Sequence, residues 1–276
     1  MNTYSYQVTT TLDQIKYPII ISTYRRSGTH LMIDLIRKQF KEYQSWKYLF
    51  EPLSNLYLEI SDPLIIKSHT EIVSQEKALK ILQRAERPII KTHDLPGFKT
   101  WLQRYPHWES FLTQKTKIFY IVRNPLKVLC SLHIFMQIRH PETRCDISDF
   151  IRQETKGISR VKEWSNHVES WLNYPNVVLF KTEDVCSETK TILDKIGHEL
   201  SVKPLYIEPL LPAQCKNIWQ HRWLRLTSIR PYSTSFLGRY LGQEPQNYLT
   251  AFSPDDIFFI KQEAGEIIEK LGYSIG

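Results

Sequence analysis

The sequence predicts an α/β fold in which a parallel β-sheet is flanked by helices. Short apolar runs rich in β-branched residues occur at Ile19–Ile21, Ile89–Ile90, Phe119–Val122 and 176–180. Such runs are typical of strands that are buried on both faces of a parallel sheet. Two of them pass through a polar turn directly into a segment whose apolar residues repeat at helical spacing. Strand–turn–helix units of this kind predict helices packed against the sheet.

Length and composition indicate a globular protein with a substantial core. The 276 residues are 42% hydrophobic and 24% charged, and we treat residues 1–276 as a single domain. The net charge of +7 suits an anionic ligand, nucleic acid or membrane headgroups equally well. No run of basic residues resembles a nucleic-acid-binding tail, so we expect neither a nucleic-acid nor a membrane partner. The sequence does not indicate an oligomeric state.

Cysteine spacing and the N-terminal residues bear on location. The four cysteines lie far apart and form no C-x-x-C pair, which favours reduced thiols over a disulfide framework or a zinc site. Residues 1–16 lack the basic start and apolar stretch of a signal peptide. No apolar run approaches the roughly 18 residues of a membrane span. We therefore expect a cytoplasmic protein.

The first strand–turn–helix unit, Tyr17–Phe40, predicts a P-loop-like anion-binding loop. Its turn carries small polar residues and two cations, Arg25 and Arg26, at the start of a helix. Unpaired backbone N–H groups and the dipole at a helix N-terminus favour an anion. The nucleoside triphosphatase motif G-x-x-x-x-G-K-[ST] is absent, since Thr23 replaces its first glycine and no lysine follows Gly28. This argues against an ATPase.

The second unit, Ile118–Met136, also has an arginine in its turn. Asn124 and Pro125 predict a capped helix start after the strand. Arg123 and Ser131 are eight residues apart, so both reach one ligand only if the helix runs beside it.

Two near-identical strings, IIKSH at Ile65–His69 and IIKTH at Ile89–His93, each place a lysine and a histidine at a strand end. The carboxyl ends of strands are where open α/β sheets carry their chemistry. His93 runs into an Asp-Leu-Pro-Gly turn, whereas His69 runs into a predicted helix. We prefer His93 as the reactive histidine, and His69 remains the alternative.

The remaining chain is less informative until its end. Amphipathic spacing predicts a helix over Val161–Leu172, whose His167 we interpret as structural. Aromatic and cationic residues crowd together within Ser201–Ile229; they could bind nucleic acid, but we interpret them as a cap over a small-ligand cleft. Ser253, Pro254 and Gly272 mark the start and end of a final helix.

Several of these strings resemble the cytosolic-type sulfotransferases. TYRRSGTHL resembles their TYPKSGTTW loop, KTHDLP their KTHLP segment, and YIVRNPLKVLCS their YIVRNPKDVLVS segment. Weaker matches are the W-x-x-H-V helix and the stretch around Arg239. The chain departs from the family at Arg25 for proline, Arg26 for lysine, His30-Leu31 for Thr-Trp, the inserted Asp94, and Thr182 for a tyrosine near adenine.

The resemblance implies a cosubstrate, 3′-phosphoadenosine 5′-phosphosulfate, and no metal. It implies catalytic roles for His93 as general base and for Arg26 and Lys91 at the sulfuryl group. The residues implied to bind the cosubstrate are Arg25, Arg26, Ser27, Gly28, Thr29, His30, Arg123, Ser131, Thr182 and Arg239.

The predicted function is sulfuryl transfer to a hydroxyl or amine of a small-molecule acceptor. A secondary metabolite such as a guanidinium alkaloid of the saxitoxin type is our specific expectation for the acceptor. Two other interpretations stay open at this point. One is a P-loop-type small-molecule kinase, and the other is a non-catalytic protein that binds nucleotide or nucleic acid.

Overall fold

The computed structural model describes residues 11–45, 53–62, 72–207 and 248–275. In this part of the chain the strands are β1 (Ile19–Thr23), β2 (Leu58–Glu59), β3 (Ile89–Thr92), β4 (Lys117–Val122), β5 (Glu154–Thr155), β6 (Ile158–Ser159) and β7 (Val177–Lys181). Five of them form an entirely parallel sheet with the order β2-β3-β1-β4-β7, and β5 and β6 form a separate hairpin.

Helices pack on both faces of this sheet, which confirms the predicted fold class. They are α1 (Thr29–Gln39), α2 (Gln75–Leu82), α3 (Lys99–Arg104), α4 (Glu109–Gln114), α5 (Pro125–Arg139), α6 (Ile147–Arg152), α7 (Arg160–Leu172), α8 (Thr182–Ser187), α9 (Thr189–Leu200) and α10 (Pro254–Lys270). Short 3₁₀ turns lie at Lys41–Tyr43, Leu53–Leu56, Pro106–Trp108, Pro141–Thr143 and Tyr248–Ala251.

Alternate residues of each strand enter two different cores. Ile19 and Ile21 join one core with α1 and α9, while Ile20 joins the other with α7 and α10. All three side chains are fully buried. This explains why the run has no polar positions: a strand covered on both faces has no solvent side.

The predicted helix ends agree with the structure where caps were visible in the sequence. The Asn124 side chain accepts hydrogen bonds from the N–H groups of Leu126 and Lys127 at the start of α5. Ser253 and Asp256 form a capping box at the start of α10. The segment after His69, which the sequence predicts as a helix, is helical over Gln75–Leu82 among the described residues, and the Ser74 side chain caps its start by accepting from the Lys77 N–H.

The connections of the sheet create a crevice at its carboxyl edge. After β1 the chain moves to β2 and β3 on one side, and after β4 it moves to β7 on the other side. Strands whose connections leave in opposite directions open a crevice at their carboxyl ends, where ligands of open α/β sheets bind. The turns that follow β1 and β4, with Arg26 and Arg123, therefore face one cleft.

Candidate active site

The turn between β1 and α1 presents an open helix start. Gly28 occupies the N-cap position with φ of 100° and no side chain caps the helix. Arg26, in the middle of the turn, also has a positive φ of 70°. The Thr23 and Thr29 hydroxyls lie 2.6 Å apart and join the two ends of the turn. The tightly bent backbone leaves the positive end of the α1 dipole available to an anion.

Contacts from α8 explain why position 28 is glycine. The Thr182 hydroxyl donates a hydrogen bond to the Ser27 carbonyl oxygen. A Cβ atom added at Gly28 would lie 2.7 Å from Thr182 Oγ1, too close for any side chain. Ser27 Oγ is buried and finds no hydrogen-bond partner within the described ranges. An unpaired buried hydroxyl at a helix start suits an anionic oxygen.

His93, at the end of β3, lies against this turn. Its Nδ1 is 2.9 Å from the Thr23 carbonyl oxygen and 3.1 Å from the Thr23 hydroxyl. A carbonyl oxygen only accepts, so Nδ1 carries the hydrogen and Nε2 carries the lone pair. Burial, followed by the positive charge of Lys91, holds the pKa of His93 well below its usual 6.5. The imidazole is therefore neutral at neutral pH and can accept a proton at Nε2.

Lys91 belongs to a polar network that the sequence did not reveal. Its Nζ forms an ion pair with Glu59 at the end of β2. The other Glu59 oxygen accepts from the Ser61 hydroxyl, which in turn accepts from the His93 N–H at 2.8 Å. The two-residue strand β2 is too short to produce a recognisable apolar pattern, so no signal pointed to Glu59 or Ser61.

The two arginine-bearing turns contact each other. Arg26 Nε donates to Ser131 Oγ on α5 at 3.0 Å, and Arg123 Nη1 donates to the Arg26 carbonyl oxygen at 3.3 Å. Arg123 Nη2 also donates to the Tyr248 hydroxyl at 3.3 Å. Arg26, Arg123 and Ser131, predicted separately from two motifs, therefore lie at one site.

Arg25 and His30 occupy the sides of the turn. Arg25 forms an ion pair with Glu163 of α7 at 3.1 Å, which ties the turn to that helix. The His30 ring packs edge-on against Tyr57, with 5.8 Å between ring centroids. Burial and the charge of Lys91 hold the pKa of His30 well below 6.5, so this ring is also neutral at neutral pH.

Some predicted residues lie outside the described residues. These are Arg239, the alternative histidine His69, Cys215 and most of the aromatic and cationic cluster within Ser201–Ile229. In the portion of the chain that the structure describes, no helix has the length and apolar character of a membrane span. The same portion holds no group of three or more His, Cys, Asp or Glu side chains arranged for a metal ion.

Comparison with known proteins identifies related sequences. A family model described as the sulfotransferase domain matches residues 16–225. The 3-beta-hydroxysteroid sulfotransferase of Cavia porcellus is 26% identical over 206 residues, which cover 70% of this chain and 62% of that protein. The chain thus matches about three-fifths of the length of such curated relatives.

Two solved structures share the fold. The mouse sulfotransferase SULT7A1 complexed with PAP superposes with a TM-score of 0.53 at 19% identity, covering 98% of this chain and 91% of that chain. The sulfotransferase domain from the curacin biosynthetic pathway has the same TM-score at 18% identity, covering 95% of this chain and 100% of that chain.

Proposed function

Because the chain belongs to the sulfotransferase domain family, we propose that it transfers a sulfuryl group from 3′-phosphoadenosine 5′-phosphosulfate to a hydroxyl or amine of a small-molecule acceptor. The observation that carries this proposal is the contact between His93 and the anion-binding turn. A neutral imidazole lies hydrogen-bonded to Thr23, six residues before the helix start at Thr29. A base and an anion site are thereby adjacent, as group transfer from an anionic donor requires.

The residues of the first turn fit the phosphosulfate end of this cosubstrate. Gly28 and the unpaired Ser27 hydroxyl support close approach of anionic oxygens to the start of α1. Arg26 supplies countercharge, and Thr29 and His30 follow as the first helical residues. Thr182, which stands where the family has a tyrosine near adenine, supports the turn by donating a hydrogen bond to the Ser27 carbonyl oxygen.

The second turn fits the 3′-phosphate. Arg123 and Ser131 lie beside Arg26, so a ligand with two anionic groups meets two cations in the same cleft. The guanidinium of Arg123 can bind a phosphate through two parallel hydrogen bonds. Arg239 is proposed as a further contact from its sequence context alone.

In this proposal His93 removes the proton from the acceptor while arginine and lysine balance negative charge. When bound, the cosubstrate supplies the sulfuryl group and leaves as 3′-phosphoadenosine 5′-phosphate. His93 Nε2 accepts the acceptor proton, a step that contributes about 10²- to 10⁴-fold to the rate. Glu59 forms an ion pair with Lys91 and, through Ser61, is linked to the backbone of His93. One carboxylate therefore helps to position both the lysine cation and the proposed base.

The first experiment is calorimetric titration with 3′-phosphoadenosine 5′-phosphate, adenosine 5′-phosphosulfate and ATP with magnesium, using wild type and Arg123→Ala. We expect 3′-phosphoadenosine 5′-phosphate, called the bisphosphate below, to bind with micromolar affinity. The substitution should weaken this binding about 100-fold, because it removes a charge-assisted contact. Preference for ATP with magnesium would support a kinase instead. Binding of the bisphosphate without turnover on any acceptor would support a non-catalytic nucleotide-binding protein.

Measurement of kcat then tests whether His93 is the general base. We expect His93→Ala to lower kcat by about 10²- to 10⁴-fold without weakening bisphosphate binding. Because burial lowers the pKa of His93, the imidazole stays neutral below pH 6.5. The rate should therefore remain on its plateau as the pH falls through 6.5 and decline only at lower pH. A decline centred above pH 7 would contradict this assignment.

The acceptor is proposed only by class. A panel of a hydroxysteroid, a simple phenol, an arylamine and a guanidinium alkaloid separates O- from N-sulfation and tests the secondary-metabolite hypothesis directly. Sulfation of the steroid alone would contradict the alkaloid proposal and leave the reaction class intact.

A further inference from the structure

Two side chains of α7 hold the backbone that carries His93. His167 Nε2 is 3.1 Å from the His93 carbonyl oxygen, and Trp171 Nε1 donates to the Asp94 carbonyl oxygen at 3.0 Å. The two donors are four residues apart and therefore lie on one face of the helix. One helix face thus binds two consecutive carbonyl groups at the point where β3 ends.

The protonation of His167 is set by its partners. A carbonyl oxygen only accepts, so Nε2 donates to His93 and Nδ1 accepts from the Tyr120 hydroxyl at 3.0 Å. Burial lowers the pKa of His167 to about 4, so the ring is neutral across the working range. Tyr120 of β4 also stacks on Trp171, with 5.9 Å between ring centroids.

The N–H groups of the same two residues are bound as well. His93 N–H donates to Ser61 Oγ, and Asp94 N–H donates to Thr92 Oγ1 at 3.1 Å. All four backbone polar groups of His93 and Asp94 are therefore hydrogen-bonded. Among the described contacts, the two carbonyl oxygens accept only from side chains of α7.

Trp164 shows that the bond from Trp171 is specific. Trp164 lies seven residues, or about two turns, before Trp171 on α7, and both side chains are completely buried. The indole N–H of Trp164 nevertheless has no hydrogen-bond partner in the ranges described. Burial of a tryptophan on this helix therefore does not by itself produce such a bond.

We propose that His167 and Trp171 are positioning residues that hold His93 against Thr23 for proton transfer. This inference rests on the proposed function, and it replaces our interpretation of His167 as merely structural. Loss of either donor leaves a backbone carbonyl group without its partner on α7, which is unfavourable unless the turn moves. Movement of the turn displaces the imidazole from Thr23, and small misplacements of a catalytic group are costly to the rate.

Charged and titratable groups surround His93 on every side. Lys91 lies on its own strand, Arg25 on the first turn, His30 on α1 and His167 on α7. The Asp94 carboxyl group is adjacent; it is buried, and burial raises its pKa to about 7. Changes in the titration of His93 must therefore be compared between variants that leave all five groups in place.

Trp171→Phe meets this condition, and Trp164→Phe is its matched control. Each removes an indole N–H from a buried ring of α7, but only the first removes a hydrogen bond. We expect Trp171→Phe to lower kcat about 10-fold, with KM and bisphosphate affinity changed less than about twofold. We expect Trp164→Phe to leave kcat within about twofold of wild type, at a similar loss of thermal stability. Equal kcat losses in the two variants would overturn the proposal.

A second readout needs no turnover. The imidazole proton resonance of His93, assigned with His93→Ala, reports its titration by NMR. We expect the titration to move upward toward 6.5 in Trp171→Phe, because a loosened turn admits water, and to stay unchanged in Trp164→Phe. An unchanged titration in both variants would overturn the proposal even if the enzyme is active.

His167 provides an independent pair of variants. His167→Gln keeps an N–H donor near the position of Nε2, whereas His167→Leu removes it. We expect partial rescue of kcat by the glutamine relative to the leucine variant; equal activity would overturn the role of the donor. Wild type that binds the bisphosphate but sulfates nothing in the acceptor panel would refute the proposed function, while the NMR comparison would still test whether α7 holds His93.

Discussion

The two strand–turn–helix units, β1 to α1 and β4 to α5, look alike in sequence but begin their helices differently. At α1 the N-cap is Gly28, which has no side chain to cap the helix. At α5 the Asn124 side chain accepts from two backbone N–H groups. The backbone N–H of Asn124 is itself bound, since it donates to Glu183 Oε1 at 3.0 Å.

This difference separates two ways of binding an anion. The β1–α1 turn has glycine at the N-cap, and no acidic residue lies in the first helical turn of α1, so the positive end of the helix dipole favours an anion there. In the second turn the backbone N–H of Asn124 is bound to a carboxylate and the helix start is capped, so an anion there would be held by side chains such as Arg123 and Ser131. An arginine after a strand is therefore insufficient to identify a backbone anion site; the residue at the N-cap decides.

The largest effect on this comparison is expected from Gly28→Ala. The added methyl group would collide with Thr182 Oγ1 and would occupy a left-handed backbone conformation. We expect bisphosphate affinity to fall at least about 100-fold, measured by calorimetry. Gly157→Ala is the control, because Gly157 also has a positive φ but nothing lies within 4 Å of the added Cβ. Retained affinity in Gly28→Ala would mean that the first turn is not the anion site.

Thr182→Val should have a smaller effect on the same turn. Valine keeps the shape of threonine but cannot donate to the Ser27 carbonyl oxygen. The unpaired carbonyl should loosen the turn, and we expect about a 10-fold loss of bisphosphate affinity in calorimetric titration. Thr189→Val, which removes a hydroxyl bonded to the Val185 carbonyl oxygen within the α8–α9 segment, should leave the affinity unchanged. Similar losses in both variants would indicate general destabilisation.

Glu183→Gln sharpens the comparison at the second turn. Glutamine can still accept from the Asn124 N–H, but it removes the negative charge next to Asn124, the residue that follows Arg123 in the chain. We expect bisphosphate to bind about threefold more tightly, an effect that salt should reduce. Asp184→Asn changes the same charge at the next residue. An equal gain there would show that net charge, rather than the carboxylate at Asn124, is responsible.

The smallest effect on ligand binding is expected from Asn124→Ala. Loss of the α5 cap should lower the free energy of unfolding by about 1 kcal/mol, measured by urea denaturation. Bisphosphate affinity should change less than about twofold, because the capped amides are not the proposed ligands. A large loss of affinity without loss of stability would place the anion on the backbone of α5 and remove the difference between the two units.

Local patterns in the sequence accounted for the elements that form these units. The apolar runs, the Asn124-Pro125 pair and Ser253-Pro254 predicted strands and helix starts that the structure contains. These signals depend on neighbours within about four residues, because capping and helical periodicity are local. The resemblance to one family also predicts that Arg26, His93 and Arg123 act on a common ligand, and that assignment stays a prediction.

The contacts that organise the site join residues far apart in the chain. Thr182 reaches Ser27 across 155 positions, and His167 reaches His93 across 74. Glu59 and Ser61 come from a strand of two residues, too short for any periodic signal. No local pattern encodes which strands become neighbours, so these partners could not be read from the residues alone.

The sequence by itself determined where the capped helices α5 and α10 begin and which turns carry cations, since those properties follow from short-range hydrogen bonding and burial. The tertiary structure decided that β1 lies between β3 and β4, and hence that Thr23 meets His93 and Arg26 meets Ser131. It also decided that α7 binds the carbonyl groups after β3. Such pairings depend on the packing of the whole sheet, because every buried polar group must find its partner in three dimensions.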